Sequence, residues 1–256
     1  MSAASLVTTV GSGLRQAKVF GRGYFSHSQN EAFEALGLLE RRNTVIAFLG
    51  SRPAAGRQPK FFDTVAGLCT PATIMIDDGR SDRLGALNGL SRAVIAQAFG
   101  EEDVFPLVGI VPAYIKPGFD GARPHFDNFH THFIRVATGQ TGDGKKRPNK
   151  HLQYAAWFDT ALQYLKERGF TVGIILSNGG ELTEKRVIFH LNNQTPVCVL
   201  GGTGGLADRI YNLLKGLNPA ERWPDEVEKR MDLLFPVHVS QWRLAGPAFR
   251  HFAAAH

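Results

Sequence analysis

Four apolar stretches of this chain end in the same kind of residue. "TVIAFL" is followed by Gly50, Ser51 and Arg52, and "ATIMI" by Asp77, Asp78, Gly79 and Arg80. "TVGIIL" is followed by Ser177, Asn178, Gly179 and Gly180, and "PVCVL" by Gly201, Gly202, Thr203, Gly204 and Gly205. A glycine after a strand serves turn geometry, and any one of these loops has no more to say than that. Together they describe a surface that suits phosphate. Bare backbone N–H groups approach an anion where there is no Cβ, and arginine can hold two phosphate oxygens at once. Thr183 and Asp208 follow in the first turns of the next helices. Asp208 either complements a helix dipole or receives ribose hydroxyls.

Other chemistries lack their residues. No glycine loop runs into Lys-Ser or Lys-Thr, so there is no P-loop. "GTGGLA" has the form of a dinucleotide fingerprint, but it lies on the last strand–helix unit, with no strand-end acid about 20 residues on. A redox nicotinamide, or any other cofactor, is therefore not expected. There is no G-x-S-x-G elbow, and neither Cys69 nor Cys198 has the electropositive loop setting of a reactive thiol. "HFDNFHTHF" gathers His125, Asp127, His130 and His132, and an H-x-H pair can ligate a metal. These residues precede a strand and so fall at the opposite sheet edge from the glycine loops. They read as structural histidines, with no metal expected.

The elements that must position the loops alternate. "NEAFEALGLLERR" has helical spacing with Asn30 as a candidate N-cap, and "TVIAFLG" is a buried strand. A helix-like stretch over 60–68 leads to the strand "ATIMI", the helix "LGALNGLSRAVIAQAF" and the strand "FPLVGIVP". "THFIRVAT" is a strand, and "YAAWFDTALQYLKERG" is an amphipathic helix stopped by Gly169. "TVGIILS", "LTEKRVIFHLNN", "PVCVL" and a last helix after the glycines complete the series. Short, almost wholly apolar strands alternating with helices predict an α/β fold, Rossmann-like and doubly wound. Its sheet is mainly parallel, with helices on both faces. In such a sheet the carboxyl ends share one edge, so the four loops converge on one crevice. The boundaries read as a loosely held arm over 1–25, one α/β domain over 26–217, and a helical extension over 218–256 around "PDEVEKRMDLLF".

The chain of 256 residues is 43% hydrophobic and 20% charged, ordinary for a globular protein. No stretch approaches the ~18 apolar residues of a membrane span, and the N-terminus lacks the basic start and apolar core of a secretory signal. Two cysteines make no disulfide framework, so a cytoplasmic protein with no membrane partner is expected. A net charge of +6 favours an anionic partner. The densest basic cluster, "GKKRPNK" over 144–150, reads as a solvated loop. With no interleaved aromatics and no nucleic-acid motif, a phosphorylated small molecule is favoured over nucleic acid.

"NFHTHFIRVATGQTGDG", the glycine pair after "TVGIILS", and "TPVCVLGGTGGLADRI" resemble the SLOG domain of the TRPM-like type. "DDGRSDRLGALNGLSRAV" and "GIVPAYI" fall in matching order, and the resemblance spans roughly 43–214. It implies a Rossmann-like domain that binds nucleotide derivatives, notably ADP-ribose and its cyclic relatives, as a sensor, with a place in an anti-phage or stress pathway. Ligand contacts are implied at Gly50, Ser51, Gly79, Gly179, Gly180, Gly201 to Gly205 and Asp208. With Arg52, Arg80, Asn178 and Thr183 these make up the expected ligand set, and no catalytic residue is assigned. The first loop has Gly-Ser-Arg where the family usually has a Gly-Gly pair, and the second has Asp-Asp-Gly-Arg for Thr-Gly-Gly. The superfamily also holds phosphoribohydrolases marked by P-G-G-x-G-T-x-x-E. Here "NGGELTEKR" puts Asn178, Leu182 and Arg186 at the proline, third glycine and glutamate, and "LGGTGGLAD" puts Leu200, Gly205 and Asp208 at the proline, threonine and glutamate. Binding is therefore read over hydrolysis. The alternatives are a nucleotide N-glycosidase using Asp208 or Glu181, and an interaction module with a vestigial crevice. Action through homo-oligomers or a separately encoded effector is expected.

Overall fold

A computed structural model of the chain describes residues 7–10, 17–20, 29–40, 42–53, 70–80, 84–100, 104–113, 115, 126–127, 129–136, 150–218 and 225–256. The helix read over 60–68, Cys69, His125 and the basic stretch 144–149 lie outside them.

The strands are β1 (Val7–Val10), β2 (Ala17–Phe20), β3 (Thr44–Gly50), β4 (Thr73–Asp77), β5 (Leu107–Pro112), β6 (His132–Val136), β7 (Thr171–Ser177), β8 (Val197–Gly201) and β9 (Leu234–His238). The helices are α1 (Gln29–Ala35), α2 (Leu84–Phe99), α3 (Lys150–Glu167), α4 (Glu181–Asn192), α5 (Gly205–Leu214), the single turn α6 (Asp225–Glu228) and α7 (Trp242–Ala254). All nine strands form one sheet in the order β1-β2-β6-β5-β4-β3-β7-β8-β9. β2 to β9 run parallel, and β1 pairs antiparallel with β2 at one edge.

Period-two alternation of wholly apolar strands feeds two cores. Val45, Ala47 and Leu49 of β3 pack with α1, α3, α4 and α5, while Ile46 and Phe48 pack with α2 and α7 on the opposite face. This is the doubly wound α/β arrangement, with the central strands β3, β4, β5, β7 and β8 buried on both sides. The chain builds outward from β3 through β4 and β5 to β6, then returns to lay β7, β8 and β9 on the other side. The strand order therefore reverses between β3 and β7. Open α/β sheets bind ligands beyond the carboxyl ends at such a switch point.

Both ends of the chain add strands to the sheet. The arm over 1–25 supplies β1 and β2, and β2 pairs in parallel with β6 from Lys18 opposite His132 to Phe20 opposite Ile134. The extension over 218–256 is not solely helical. It supplies β9, which pairs with β8 from Val197 opposite Leu234 to Gly201 opposite His238. Both strands are short, and a neighbouring strand supplies the pairing their own pattern does not announce.

Candidate functional site

The register aligns the glycine loops. Gly50 of β3 lies opposite Ser177 of β7, and Gly201 of β8 opposite His238 of β9. Ala47 opposite Ile76 brings Gly79, three residues past Ile76, level with Gly50. The loops after β4, β3, β7 and β8 thus line one sheet edge in that spatial order, with the β3 and β7 loops at the switch point.

These loops are bonded to one another. The Ser51 N–H donates to the Ser177 carbonyl at 2.9 Å, and a Cβ on Gly50 would overlap that same carbonyl. Asn178 is the hub. Its N–H donates to Thr203 Oγ1 at 2.9 Å, its Nδ2 to the Arg52 carbonyl at 2.8 Å, and its carbonyl accepts from Ala207 N–H at 3.1 Å. It does so at φ 54°, a left-handed conformation that asparagine tolerates better than other side chains. Thr203 is fully buried, and its hydroxyl donates a hydrogen bond to the Leu200 carbonyl at 2.7 Å. The Gly179 carbonyl accepts from Leu206 N–H at 2.9 Å, and Asp208 Oδ1 accepts the Gly202 N–H. Two first-turn amides of α5 and one Asp208 oxygen are therefore engaged within the protein.

Space separates the glycines into two groups. A side chain on Gly205 would overlap Asn178 Oδ1, and one on Gly201 would overlap the Tyr211 ring, so these glycines allow the loops to pack. Among the described residues, an added Cβ on Gly180 meets nothing within 4 Å, and one on Gly204 meets only the Asn178 amide at 3.5 Å. No side chain among the described residues caps α4 or α5. Of the expected ligand residues, Gly180 and Gly204, at helix N-termini, have the most room among the described residues. Ser51 is exposed, Arg52 and Arg80 are half-buried, and Gly79 is buried. Thr183 leans its side chain on Gly179. The acids of the first α4 turn are paired, Glu181 with Lys185 at 2.8 Å and Glu184 with Arg209 at 2.6 Å.

The histidine cluster requires a correction. His130 was expected at the far edge of the sheet, but it meets the carboxyl end of β4. Its Nε2 lies 2.7 Å from Asp77 Oδ1 and its Nδ1 2.8 Å from Asp127 Oδ2. Asn88 of α2 donates to Asp77 Oδ2 at 2.7 Å, and Asp77 Oδ1 also takes the Gly79 N–H at 2.6 Å. β4 ends at Asp77, level with Phe133 across β5, so the segment entering β6 reaches over the β4 terminus. Burial opposes charge on the imidazole, but the two carboxylates outweigh it and lift the pKa to about 10. Both ring nitrogens are bonded to carboxylates, which leaves no lone pair for a metal. Desolvation, with Lys18, Arg42 and Arg92 nearby, pushes the half-buried His132 the other way, to about 3. The pairing of Asp77 with His130 spans 53 residues, and no local spacing could have announced it.

A second buried charge cluster joins α3 to α4. Arg186 forks onto Asp159 with Nη2 2.7 Å from Oδ1 and Nε 3.0 Å from Oδ2, and His190 Nε2 lies 3.0 Å from Oδ1. Burial works against the Asp159 carboxylate, but His190 and Arg186 together hold it below its ordinary range.

The sequence model of the family described as "SLOG in TRPM, prokaryote" matches residues 44–242. No curated protein matches the chain. Among solved structures, the X-ray structure of TM1055, a Northeast Structural Genomics Consortium target, is similar at 15% identity and a TM-score of 0.45. The match covers 81% of this chain and 99% of that one. No helix among the described residues is long and apolar enough to cross a membrane.

Proposed function

Because the chain belongs to the prokaryotic SLOG family of the TRPM type, we propose that it binds a nucleotide-derived signal of the ADP-ribose or cyclic ADP-ribose kind. Membership suggests nucleotide-related binding or processing. The diphosphate lies over Gly180 and Gly204, between the β3–β7 switch point and the uncapped starts of α4 and α5. Arg52 and Arg80, on neighbouring strand ends roughly 4.8 Å apart, supply charge. The observation that carries this reading is that no described residue fills the space at Gly180 and Gly204, set in loops whose other glycines are filled by the protein itself. Helix N-termini with free space and no side-chain cap favour an anion.

Binding is favoured over N-glycoside cleavage by what stands at the glutamate positions of the hydrolase mark. Arg186 occupies one and is bonded to Asp159, and Asp208 occupies the other with one oxygen on the Gly202 amide. Neither offers a free carboxylate to an oxocarbenium-like centre.

Gly180→Val tests the proposal. Gly180 has φ −129°, extended backbone that valine adopts readily, so the change costs only about 1 kcal/mol of N-cap preference. Calorimetry with ADP-ribose is expected to show binding by the wild type and at least a tenfold loss in the variant, at a nearly unchanged melting temperature. Equal affinity in both places the ligand elsewhere. Absence of binding by the wild type overturns the ADP-ribose reading, and release of free base during incubation would favour the hydrolase.

A further inference from the structure

Unpaired polar atoms gather at the carboxyl edge of the sheet. Among the described residues, five buried side-chain atoms make no hydrogen bond: Arg42 Nε, Asn88 Oδ1, Arg135 Nε, Gln153 Oε1 and Tyr154 Oη. Arg42 precedes β3 and so stands at the amino edge. The other four belong to the carboxyl edge. Asn88 bonds Asp77 at the end of β4, and Arg135 reaches the Ala113 carbonyl just past β5. α3 runs back to the start of β7, so Gln153 and Tyr154 in its first turns stand over the same edge. Buried polar groups are rarely left unpaired, and a concentration of them on the ligand side of a sheet points to a partner outside the chain.

Neighbours on three elements locate the Tyr154 hydroxyl. The Tyr154 ring meets Phe158 edge-on, at 6.3 Å between centroids, and Phe158 carries the Arg186 guanidinium 4.6 Å from its own ring centre. Arg186 is held there by its fork onto Asp159. Asp78 and Asp77, at the end of β4, act on the phenol from the other side. The hydroxyl therefore lies between the start of α3, the second turn of α4 and the end of β4, and none of these charged neighbours bonds it. Burial, reinforced by Asp78, pushes the phenol well above its ordinary range, so the group keeps its proton and can both donate and accept. In the sequence Tyr154 is only the first residue of an amphipathic run, and nothing in its spacing sets it apart.

We propose that the Tyr154 hydroxyl binds a sugar hydroxyl of the nucleotide, on the β4 side of the crevice whose phosphates lie over Gly180 and Gly204. This rests on the nucleotide reading above and deepens it, giving the site a phosphate end at the starts of α4 and α5 and a ribose end between α3 and β4. Charge sorts the two ends. The Arg186 charge is already met by Asp159, and the carboxylates of Asp77 and Asp78 lie opposite, so this side repels a phosphate and suits a neutral hydroxyl. A phenol and a ribose hydroxyl each donate and accept, so one contact satisfies both. A site built to pair a hydroxyl rejects a ligand without one, because its own polar group is then left unpaired.

Tyr154→Phe removes the oxygen and keeps the ring, so affinity and stability separate. The experiment is calorimetry of wild type and Tyr154→Phe with two probes, ADP-ribose and inorganic pyrophosphate, with melting temperatures of both proteins free of ligand. The variant is expected to bind ADP-ribose at least fivefold more weakly and to bind pyrophosphate as the wild type does. It is expected to melt at the same temperature or higher, because the group it loses is a buried hydroxyl without a partner. A lower melting temperature shows that the hydroxyl is paired within the free protein and overturns the proposal. Equal affinity of the two proteins for ADP-ribose overturns it as well and leaves the nucleotide reading standing. An equal loss with pyrophosphate puts the contact on phosphate and overturns the sugar assignment. Failure of the wild type to bind ADP-ribose overturns the nucleotide reading and this contact with it.

Discussion

His130 shows how much one side chain can depend on a distant partner. It lies buried between Asp77 and Asp127, and the three tie the end of β4, the start of α2 and the entry to β6. Removing one member of a buried charged group strands the others, typically at 3–5 kcal/mol. His130→Gln is therefore expected to lower unfolding stability at pH 7 by about that amount in urea titrations. The pH dependence has a defined sign. The pKa is raised from an ordinary 6.5 to about 10, so this stabilisation is complete below pH 6.5 and is lost as pH rises through about 10. The stability difference between wild type and variant should shrink over that window, and a constant difference would refute the charged clip. His132 acts in the opposite sense. With its pKa pushed down to about 3, its contribution is present above pH 6.5 and is lost as pH falls toward 3.

At the scale of the element, the strand–glycine–helix units contain two kinds of glycine that look alike in sequence. Gly205, at φ 49°, sits where the loops after β7 and β8 pack, and a side chain there would overlap Asn178 Oδ1. Gly204, at φ 105°, has among the described residues only the Asn178 amide, at 3.5 Å. Both alanine variants pay conformational strain of roughly 1–3 kcal/mol, but only Gly205→Ala also forces the loops apart. Denaturant melts are expected to show Gly205→Ala as clearly the less stable of the two. Equal losses would mean that the inter-loop packing contributes little. The strands and helices themselves were legible because wholly apolar runs and helical spacing arise within a few residues. The strands β1 and β2 were not, since "VTTV" and "AKVF" carry too little pattern without the neighbour that pairs β2.

Over the whole molecule, the sheet reaches beyond the boundaries that composition indicated. β9 pairs along β8, and α7 lays fully buried Phe249 against β7, where a Cβ on Gly173 would come within 3.1 Å of its ring. A chain shortened to residues 26–217 would expose the β8 edge and much of one core face. Loss of a buried Phe alone costs about 3–5 kcal/mol. The shortened chain is expected to aggregate or to lose its cooperative melting transition, followed by light scattering and circular dichroism. A soluble fragment with an unchanged transition would show that β9 and α7 are an appendage.

The alternation of apolar strands with helices, the parallel sheet and the sharing of one edge by four glycine loops were determined by the sequence itself, because burial on two faces forces a local, readable composition. Tertiary structure alone decided which glycines have the most room among the described residues, that Thr203 and Asn178 bind the loops together, that His130 closes on Asp77, and that His238 stands beside Gly202. Each of these depends on a partner brought near by sheet register rather than by chain spacing, and register is fixed only when the strands are assembled.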